Sequence, residues 1–386
     1  MDTKNMTPRF DRERLARIGA TIRRDIEDGK YHGAALRVAS NDGVVLDLIE
    51  GYANREAGRR LSPDSVFCTL SVAKQFTNVL ALSLVERGLL RLHAPIAELL
   101  PQFGASGLEK VNLWHLLTHT SGICSAFPRV APEIVCSIEQ LTNYAASQKL
   151  ESLPGAQVNY SICVVHSVIA ALCLRADGRG RTYSQMLDEE IFAPLQMRDT
   201  SLSLRTDLEA RYCPVKATWS GGGAVPPETV EAMNRLMRIP GAEIPGGGAV
   251  STMNDLFRFV EMLRHGGELQ GVRILSPGMI DYASRNQTGD LRMVLMDALL
   301  SSRSWLPTPA YIGLGFFVRG EGITPGPFGV LNSSHSIAGM GAGATAFWID
   351  PQRNLSFTFL STGLMEASRN LERLGILSDL VLASIV

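Results

Sequence analysis

The stretch Leu61-Ser-Pro-Asp-Ser-Val-Phe67, with Ser71-Val-Ala-Lys-Gln-Phe-Thr77 beginning four residues after it, decides how this sequence is interpreted. The apolar pattern from Ser71 to Glu86 predicts a helix, so Ser71 and Lys74 share one face of its first turn. The positive end of a helix disfavours a charged lysine, and burial would lower the lysine pKa further. Such a lysine can take the proton of a serine hydroxyl, so the pair is a candidate nucleophile and base.

A structural role for the same two residues is the alternative interpretation. Serine is common near helix starts, and a lysine there is usually solvated. The chain has only six lysines, however, so a lysine inside a motif carries weight. The backbone N–H of Ser71 would lack a helical partner at this position and could help to stabilise an oxyanion. The wider sequence has to decide between the two interpretations.

The composition is that of a globular protein with a sizeable core. The 386 residues are 45% hydrophobic and 19% charged. The formal net charge is -1, so no excess charge points to nucleic acid or an anionic membrane as a partner. The longest apolar stretch, Ile162–Leu174, is too short to span a bilayer. The N-terminal residues lack the apolar segment of a secretory signal, and we therefore expect a cytoplasmic protein.

Sequence motifs for metals and nucleotide cofactors are absent. The six cysteines form no CxxC pair, and we predict that they are free thiols. His115 and His119 have helical metal-ligand spacing, but no HExxH pattern or nearby carboxylate completes a site. The sequence has no P-loop and no G-x-S-x-G nucleophile elbow. We therefore expect no metal and no cofactor.

Strands are predicted near both ends of the chain, with a mostly helical region between them. Asn41-Asp42-Gly43 between two apolar runs predicts a hairpin. Ser251-Thr252 is expected to cap a helix through Leu263, with Asp255 placed for a capping box. The other predicted elements are helices over Leu15–Asp28 and Ser368–Ile385, strands over Tyr311–Val318, Ala344–Ile349 and Leu355–Leu360, and glycine-rich turns at Ser220–Val225 and Pro245–Val250.

This order of elements predicts an α+β architecture in which both ends of the chain share one sheet. We expect residues 1–70 and 240–386 to form a sheet lobe and residues 71–239 to form a mainly helical lobe. The active site would lie in the cleft between the two lobes.

Further segments occur in an order that points to one family. They are Leu116–Gly122, Pro154-Gly155, Tyr160-Ser161, Ile191–Met197, Pro245–Gly248 and Phe347–Pro351. Together with the Ser71 region they resemble the serine β-lactamase and penicillin-binding-protein superfamily, in particular its class C branch, family VIII carboxylesterases and related transacylases. The resemblance covers nearly the whole chain. It implies a β-lactamase-like fold, with an antiparallel sheet flanked by helices, and the acyl-enzyme chemistry of a serine hydrolase.

The resemblance also implies a role for Tyr160, which matches the tyrosine of the family's Tyr-x-Asn motif. Tyr160 would be a second proton carrier beside Ser71 and Lys74. Because a cation lowers the pKa of a phenol, we expect Tyr160 to be favoured as phenolate. Ile162 stands where the family has asparagine, which removes an amide that would bind an amide-bearing substrate. A packed helical tyrosine with no catalytic role is the alternative.

The family's third motif, usually Lys-Thr-Gly, has two alternative registers in this sequence. One places His335-Ser336-Ile337 on the motif, with the Ala338 N–H as an oxyanion donor. The other places Gly339-Met340-Gly341 there, with the Ala342 N–H as the donor. We favour the second register because Gly341 and Ala342 match esterase-like relatives. Both registers lack the lysine that accompanies β-lactam recognition, and His335 is either a polar residue of the cleft or an exposed loop residue.

We therefore predict a serine hydrolase or acyltransferase that forms an acyl-enzyme on Ser71 and acts on a small carboxylic ester or thioester. The sequence leaves open whether water or an alcohol or amine accepts the acyl group. Ile162, the missing Lys-Thr-Gly and the missing export signal favour an ester over a β-lactam. A β-lactamase or D-amino-acid peptidase or amidase is the second enzyme hypothesis. A non-catalytic scaffold on a degenerate β-lactamase fold is the hypothesis from another class.

Overall fold

The computed structural model describes residues 8–218, 227–324 and 326–386. Its strands in chain order are β1 (Gly33–Ser40), β2 (Gly43–Asn54), β3 (Arg59–Arg60), β4 (Val66–Cys68), β5 (Tyr212–Cys213), β6 (Lys216–Ala217), β7 (Val250–Thr252), β8 (Glu268–Leu269), β9 (Val272–Arg273), β10 (Phe317–Val318), β11 (Ile337–Gly341), β12 (Thr345–Asp350), β13 (Leu355–Ser361) and β14 (Gly363–Leu364).

The α-helices surround the strands and fill the middle of the chain. They are α1 (Arg12–Glu27), α2 (Ala73–Glu86), α3 (Leu113–Leu117), α4 (Pro132–Val135), α5 (Ile138–Ser147), α6 (Val164–Asp177), α7 (Tyr183–Leu187), α8 (Pro227–Leu236), α9 (Met253–Arg264), α10 (Pro277–Ala283), α11 (Val294–Ser302) and α12 (Ala367–Leu382).

A seven-stranded antiparallel sheet joins the two ends of the chain, in the order β10-β11-β12-β13-β1-β2-β3. The hairpin of β1 and β2 closes with Ser40 paired to Gly43, as the Asp-Gly dipeptide predicts. The C-terminal strand β13 then pairs with β1, so that Leu36 stands opposite Phe359. The predicted α+β architecture is confirmed.

Each face of the sheet buries its own set of side chains, because successive residues of a strand point to opposite faces. Leu36 and Trp348 pack with side chains of α1 and α12 in one cluster. Ala35 and Phe347 pack with side chains of α2 and α9 in the other, larger cluster. The second cluster extends through the helical region, where the buried helices α2 and α6 contact each other. The sheet therefore supports α2, which carries Lys74.

The predicted strand over Tyr311–Val318 is wrong except for its last two residues. The chain folds back at this point, because the Gly313 N–H donates to the Phe316 carbonyl and Gly315 adopts φ 85°. The predicted N-cap of α9 is confirmed, since the Thr252 side chain accepts a hydrogen bond from the Asp255 N–H at 3.2 Å. The predicted capping box is wrong, because the Asp255 carboxylate accepts from the Asp199 N–H and the Thr200 hydroxyl instead. The glycine-rich turn Ser220–Val225 lies outside the described residues.

The predicted lobe boundaries stay a prediction. Two short strands inside residues 71–239 pair with strands outside that range: β5 runs parallel to β4, and β6 runs parallel to β14. The six cysteines are free thiols, as predicted. Over the described ranges, no helix is both long enough and apolar enough to cross a membrane.

Candidate active site

Ser71 lies in a 3-10 turn, Leu70–Val72, so the α-helix that follows begins at Ala73 rather than at Ser71 as expected. Leu70 has φ 50°, a left-handed conformation that costs a non-glycine residue about 1–3 kcal/mol. Gly341 packs directly against this turn, because a Cβ there would stand 2.7 Å from the Thr69 carbonyl oxygen. The backbone beside Ser71 is therefore strained and held in place by β11.

The Lys74 side chain is buried and its Nζ has three polar neighbours. Nζ lies 3.0 Å from Ser71 Oγ, 2.8 Å from the Ile162 carbonyl oxygen and 2.5 Å from the Gly246 carbonyl oxygen. The two carbonyls can only accept hydrogen bonds, whereas a hydroxyl can also donate. A neutral Lys74 gives its two N–H groups to the carbonyls and turns its lone pair toward Ser71.

Burial lowers the pKa of Lys74 from 10.5 to about 7. No carboxylate in the described part of the chain forms an ion pair with Lys74 to oppose this effect. A large fraction of the molecules therefore carries a neutral amine near neutral pH, as the catalytic reading of the Ser71 and Lys74 pair requires.

Tyr160 lies beside Ser71 and Lys74, with Lys74 Nζ 5.3 Å from the centre of its ring. Its ring stacks at 6.3 Å on Phe317 and at 4.5 Å on His119. Burial raises the pKa of Tyr160 to about 12, although the hydrogen bond to Ser71 lowers it in part. The expected phenolate is therefore wrong: burial disfavours the charged form of Tyr160 more than the hydrogen bond to Ser71 favours it, so Tyr160 keeps its proton and can act as an acid.

His119 lies in the site against the Tyr160 ring, although from the sequence its side chain is considered only as a candidate metal ligand. Its backbone has φ 56°, and its Nδ1 accepts the Ser161 N–H at 3.3 Å. Burial and the Lys74 charge lower the pKa of His119 to about 3, so the ring is neutral and presents a flat face to Tyr160. Its position inside the Leu116–Gly122 segment was the only signal in the sequence.

The strand side of the site is a tight turn, residues 342–344, between β11 and β12. Gly341 ends β11 beside Leu70, and Ala342 follows it as a half-buried residue next to Ser71. Neither the Ser71 N–H nor the Ala342 N–H donates a hydrogen bond to any residue in the described ranges. Two unpaired backbone donors at one place are what an oxyanion site requires.

The structure does not bring the residues of the other register to Ser71. Ala338 lies inside the sheet between Phe317 and Trp348, fully buried in the α1 and α12 cluster. His335 is exposed and precedes β11, at the opposite end of that strand from Gly341. The geometry therefore agrees with the register that places Gly341 and Ala342 at the site.

Two apolar cavities flank Ser71, and both are bordered by Ser71, Ile162 and Ala342. The first, which we call the Tyr160 cavity, has a volume of about 100 Å³. Its other walls come mainly from α11, α12 and the sheet, with the side chains of Tyr160, Met293, Met296, Phe317, Met340 and Leu371.

The second, which we call the Met233 cavity, has a volume of about 320 Å³ and lies on the other side of Ser71. Its walls come mainly from α8 and the segments on either side of it, with the side chains of Val135, Cys163, Met233, Leu236, Met237 and Ile244. Arg129 is the charged residue of this cavity. Ile162 separates the two cavities, while its carbonyl holds Lys74.

The described residues contain no group of three or more His, Cys, Asp or Glu side chains placed to hold a metal ion. His115 is used instead in the cap of α3, where its Nδ1 accepts the Asn112 N–H at 3.2 Å.

The antiparallel sheet, the half-buried Ser71 and Tyr160 around the buried Lys74, and the cleft at the end of β11 define a β-lactamase-like serine hydrolase. Residues 18–379 match the model of the Beta-lactamase family, and the chain belongs to that family. The resemblance stated from the sequence is thereby confirmed.

Relatives include both esterases and proteins named for β-lactam chemistry. Esterase EstB of Burkholderia gladioli is 30% identical over 304 residues, covering 71% of this chain and 75% of EstB. A penicillin-binding-protein homologue from Caulobacter crescentus has the same fold, with a TM-score of 0.79 at 23% identity over 99% of both chains. A family VIII carboxylesterase structure has a TM-score of 0.75 at 19% identity, over 96% of this chain and 98% of the other.

Proposed function

We propose that this protein is a serine esterase that forms an acyl-enzyme on Ser71 with a small carboxylic ester or thioester. The observation that carries the proposal is the contact between Lys74 Nζ and Ser71 Oγ at 3.0 Å, combined with a Lys74 pKa of about 7. Of the three hydrogen-bonding neighbours of Nζ, only Ser71 has a proton to give.

The protons balance over one acylation step. Neutral Lys74 takes the Ser71 proton as Oγ forms a bond to the substrate carbonyl carbon. Tyr160, as a neutral phenol, gives its proton to the leaving alkoxide or thiolate as the bond to that group breaks. Lys74, now charged, returns a proton to Tyr160. Water then attacks the acyl-enzyme, and Tyr160 and Lys74 transfer protons in the reverse order. The bond to Ser71 Oγ breaks and the acid is released.

The charge that develops on the carbonyl oxygen would be stabilised by the N–H groups of Ser71 and Ala342. Both are unpaired within the described residues and lie on the two sides of the cleft. Donors that are already in place need no reorganisation during the reaction, and loss of one such donor in other enzymes costs about 10²–10³ in rate.

We assign the leaving group to the Tyr160 cavity and the acyl chain to the Met233 cavity. Tyr160 borders only the first cavity, and the proton donor has to face the leaving group. The linings of both cavities are dominated by apolar side chains, which favours apolar groups on either side of the ester.

Ile162 and the third motif favour an ester over a β-lactam. Ile162 presents an apolar side chain to both cavities where an amide would bind an amide-bearing substrate. Residues 339–341 of β11 are Gly-Met-Gly, so this motif offers no cation for a carboxylate. A β-lactamase or D-amino-acid amidase activity is the competing proposal, and a non-catalytic scaffold is the third.

The test is the intact mass of the protein after mixing with p-nitrophenyl esters of increasing chain length, with p-nitrophenol release followed in parallel. We expect turnover and a transient acyl adduct in the wild type, and neither in Ser71→Ala. Ser147→Ala, an exposed serine of α5, is the matched control and should behave as wild type. Acylation by nitrocefin without ester turnover would support the β-lactamase proposal. Absence of both reactions would favour the scaffold.

A further inference from the structure

Arg373 of α12 is a buried cation with no role in the chemistry above. Its side chain is 4% exposed, and its guanidinium lies between the rings of Tyr31 and Phe359 at 4.8 and 4.7 Å. Burial lowers the pKa of Arg373 to about 10. The group still carries its charge at neutral pH.

The usual partner of a buried arginine is a carboxylate. In the portion of the chain that the structure describes, no carboxylate forms an ion pair with Arg373, and its Nε has no hydrogen-bond partner. Asp25, the acid that acts on it from a distance, instead binds Lys30 at 2.7 Å and the Tyr31 hydroxyl at 3.2 Å. Asp25 therefore does not form an ion pair with Arg373.

The hydrogen bonds of Arg373 lead to the turn beside Ser71. Its Nη2 donates to the Gly343 carbonyl at 3.1 Å and to Asn370 Oδ1 at 2.5 Å. Its Nη1 lies 3.5 Å from Ser361 Oγ, which itself donates to the Ala344 carbonyl at 2.8 Å. Two successive carbonyls of the turn are therefore fixed, directly or through Ser361, by one guanidinium.

The other contacts of the turn leave it little freedom. The Met365 N–H donates to the same Gly343 carbonyl at 2.9 Å. Gly343 has φ 65°, and a Cβ there would stand 2.3 Å from the Met365 carbonyl oxygen. The peptide groups on one side of Ala342 are thus held by α12 and the segment before it, and those on the other side by β11. The Ala342 N–H, in contrast, has no partner among the described residues.

We propose that Arg373 is a positioning residue for the reaction: it holds the turn 342–344 so that the Ala342 N–H faces the oxyanion, and its unpaired charge favours negative charge at that place. The inference rests on the proposed function, because it needs an oxyanion formed at Ser71. It adds a residue far from the Ser71 motif in sequence, on a helix that borders the Tyr160 cavity through Leu371.

A purely structural role, in which Arg373 only ties α12 to the sheet, predicts a different result. Loss of this contact between α12 and the sheet would lower the melting temperature of the protein. The folded enzyme would still bind the tetrahedral anion as well, relative to the neutral ester, as the wild type does. Positioning predicts that stabilisation of the tetrahedral anion falls while binding of the neutral ester does not.

The experiment compares wild type with Arg373→Met and Arg373→Lys in the full-length protein. The readouts are kcat and KM for a p-nitrophenyl ester, and the inhibition constant of an alkyl boronic acid, which forms a tetrahedral anion on a serine hydroxyl. We expect Arg373→Met to lose about tenfold to a hundredfold in kcat, with KM changed less than about threefold and boronate affinity reduced in parallel. Arg373→Lys, which keeps the charge but not the fork, should lose less.

Two variants of α12 serve as controls. Leu377→Ala removes a buried side chain from the same helix and reports the effect of lower stability alone. Arg369→Met removes an exposed arginine and should match wild type. The inference is overturned if Arg373→Met keeps wild-type kcat and boronate affinity, or if Leu377→Ala shows the same split between kcat and KM. If Arg373→Met does not fold, Arg373→Lys decides by the same criteria.

Mass spectrometry of the wild-type acyl adduct separates this inference from the proposed function. An adduct on Ser71 together with unchanged kinetics in both Arg373 variants overturns only the positioning role. No adduct and no turnover in the wild type overturn the proposed function, and the positioning role with it.

Discussion

On the α2 side of the cleft, Ser71, Lys74 and Tyr160 present a hydroxyl, an amine and a phenol, whereas the turn 342–344 on the sheet side presents only peptide groups. The chemistry of the first side depends on which residue types stand there. The chemistry of the second side depends on where the backbone lies, because the N–H of residue 342 is used and its side chain is not. A sequence motif marks the first kind of site directly, whereas it left two registers open for the second.

The two sides also differ in how they are held. Lys74 is fixed by carbonyls of Ile162 and Gly246, which belong to loops of the helical region and its border. The turn is fixed by Arg373 and the Met365 N–H, on and just before the C-terminal helix. Changes on the α2 side should therefore remove a chemical step, and changes on the sheet side should weaken a stabilisation.

The largest effect is expected from Lys74→Met. Removal of the base leaves Ser71 without a proton acceptor, and kcat should fall about 10²–10⁴-fold. The unpaired carbonyls of Ile162 and Gly246 add a loss of stability. Lys110→Met, which replaces an exposed lysine, is the matched control. The rate of ester hydrolysis is measured for both variants, and equal rates would contradict the assignment of Lys74 as the base.

The pH dependence of the wild type follows from the same lysine. Lys74 acts as a base only when neutral, and its pKa is about 7 in the folded protein. We expect kcat/KM to fall as the pH drops below about 7 and to level off above it, because Tyr160 keeps its proton up to about pH 12. A profile that is flat from pH 5 to 9 would show that Lys74 does not titrate in the rate-limiting step.

On the sheet side, Ala342→Pro removes one backbone N–H without removing a functional side chain. We expect a loss of about 10²–10³ in kcat, which is the usual effect of losing one oxyanion donor. Ala342→Ser keeps the N–H and should stay within a few-fold of wild type. Stopped-flow acylation rates and circular dichroism of both variants distinguish a lost donor from a lost fold.

A smaller effect is expected from Gly341→Ala, which tests the packing between the two sides. The added methyl would stand 2.2 Å from Thr345 Oγ1 and 2.7 Å from the Thr69 carbonyl oxygen, so β11 must move away from the turn that carries Ser71. We expect a loss of about 1–3 kcal/mol in the free energy of unfolding and a loss of about tenfold in kcat. Gly278→Ala, in an open position of α10, should not destabilise in the same urea titration.

The smallest effect on ester hydrolysis is expected from Ile162→Asn. The backbone carbonyl that binds Lys74 remains, so kcat/KM for esters should fall only a few-fold as the cavities become more polar. Acylation by nitrocefin should rise, because an amide returns to the place where it would bind an amide-bearing substrate. Ile162→Leu is the control. An unchanged rate of acylation by nitrocefin in Ile162→Asn would show that residue 162 does not determine the choice between an ester and a β-lactam.

The sequence predicted the local features well, because their causes lie within a few residues. The Asp-Gly hairpin, the Thr252 cap and the shared face of Ser71 and Lys74 each depend on neighbours in the chain. The strand proposed over Tyr311–Val318 failed for the opposite reason. Its apolar pattern resembles a strand, but the Gly315 N–H donates to the Leu117 carbonyl, and the chain turns there.

The states of the site residues depend on distant parts of the chain. The Lys74 ammonium is disfavoured by burial among groups 88 and 172 residues away. Burial also keeps Tyr160 a phenol rather than the expected phenolate. The choice between the two registers of the third motif likewise rested on which peptide lies beside Ser71. Neither property has a local signature, because solvation and backbone position are set by packing.

By itself, then, the sequence determined the family, the α+β order of elements and the candidate nucleophile and base, since these follow from residue type and short-range spacing. Only the tertiary structure decided that burial lowers the pKa of Lys74, that His119 packs against Tyr160 and that Arg373 donates to the Gly343 carbonyl beside Ala342. Those three properties arise from burial and from contacts between segments far apart in the chain, where the free energy depends on the surroundings of a group and not on its neighbours in sequence.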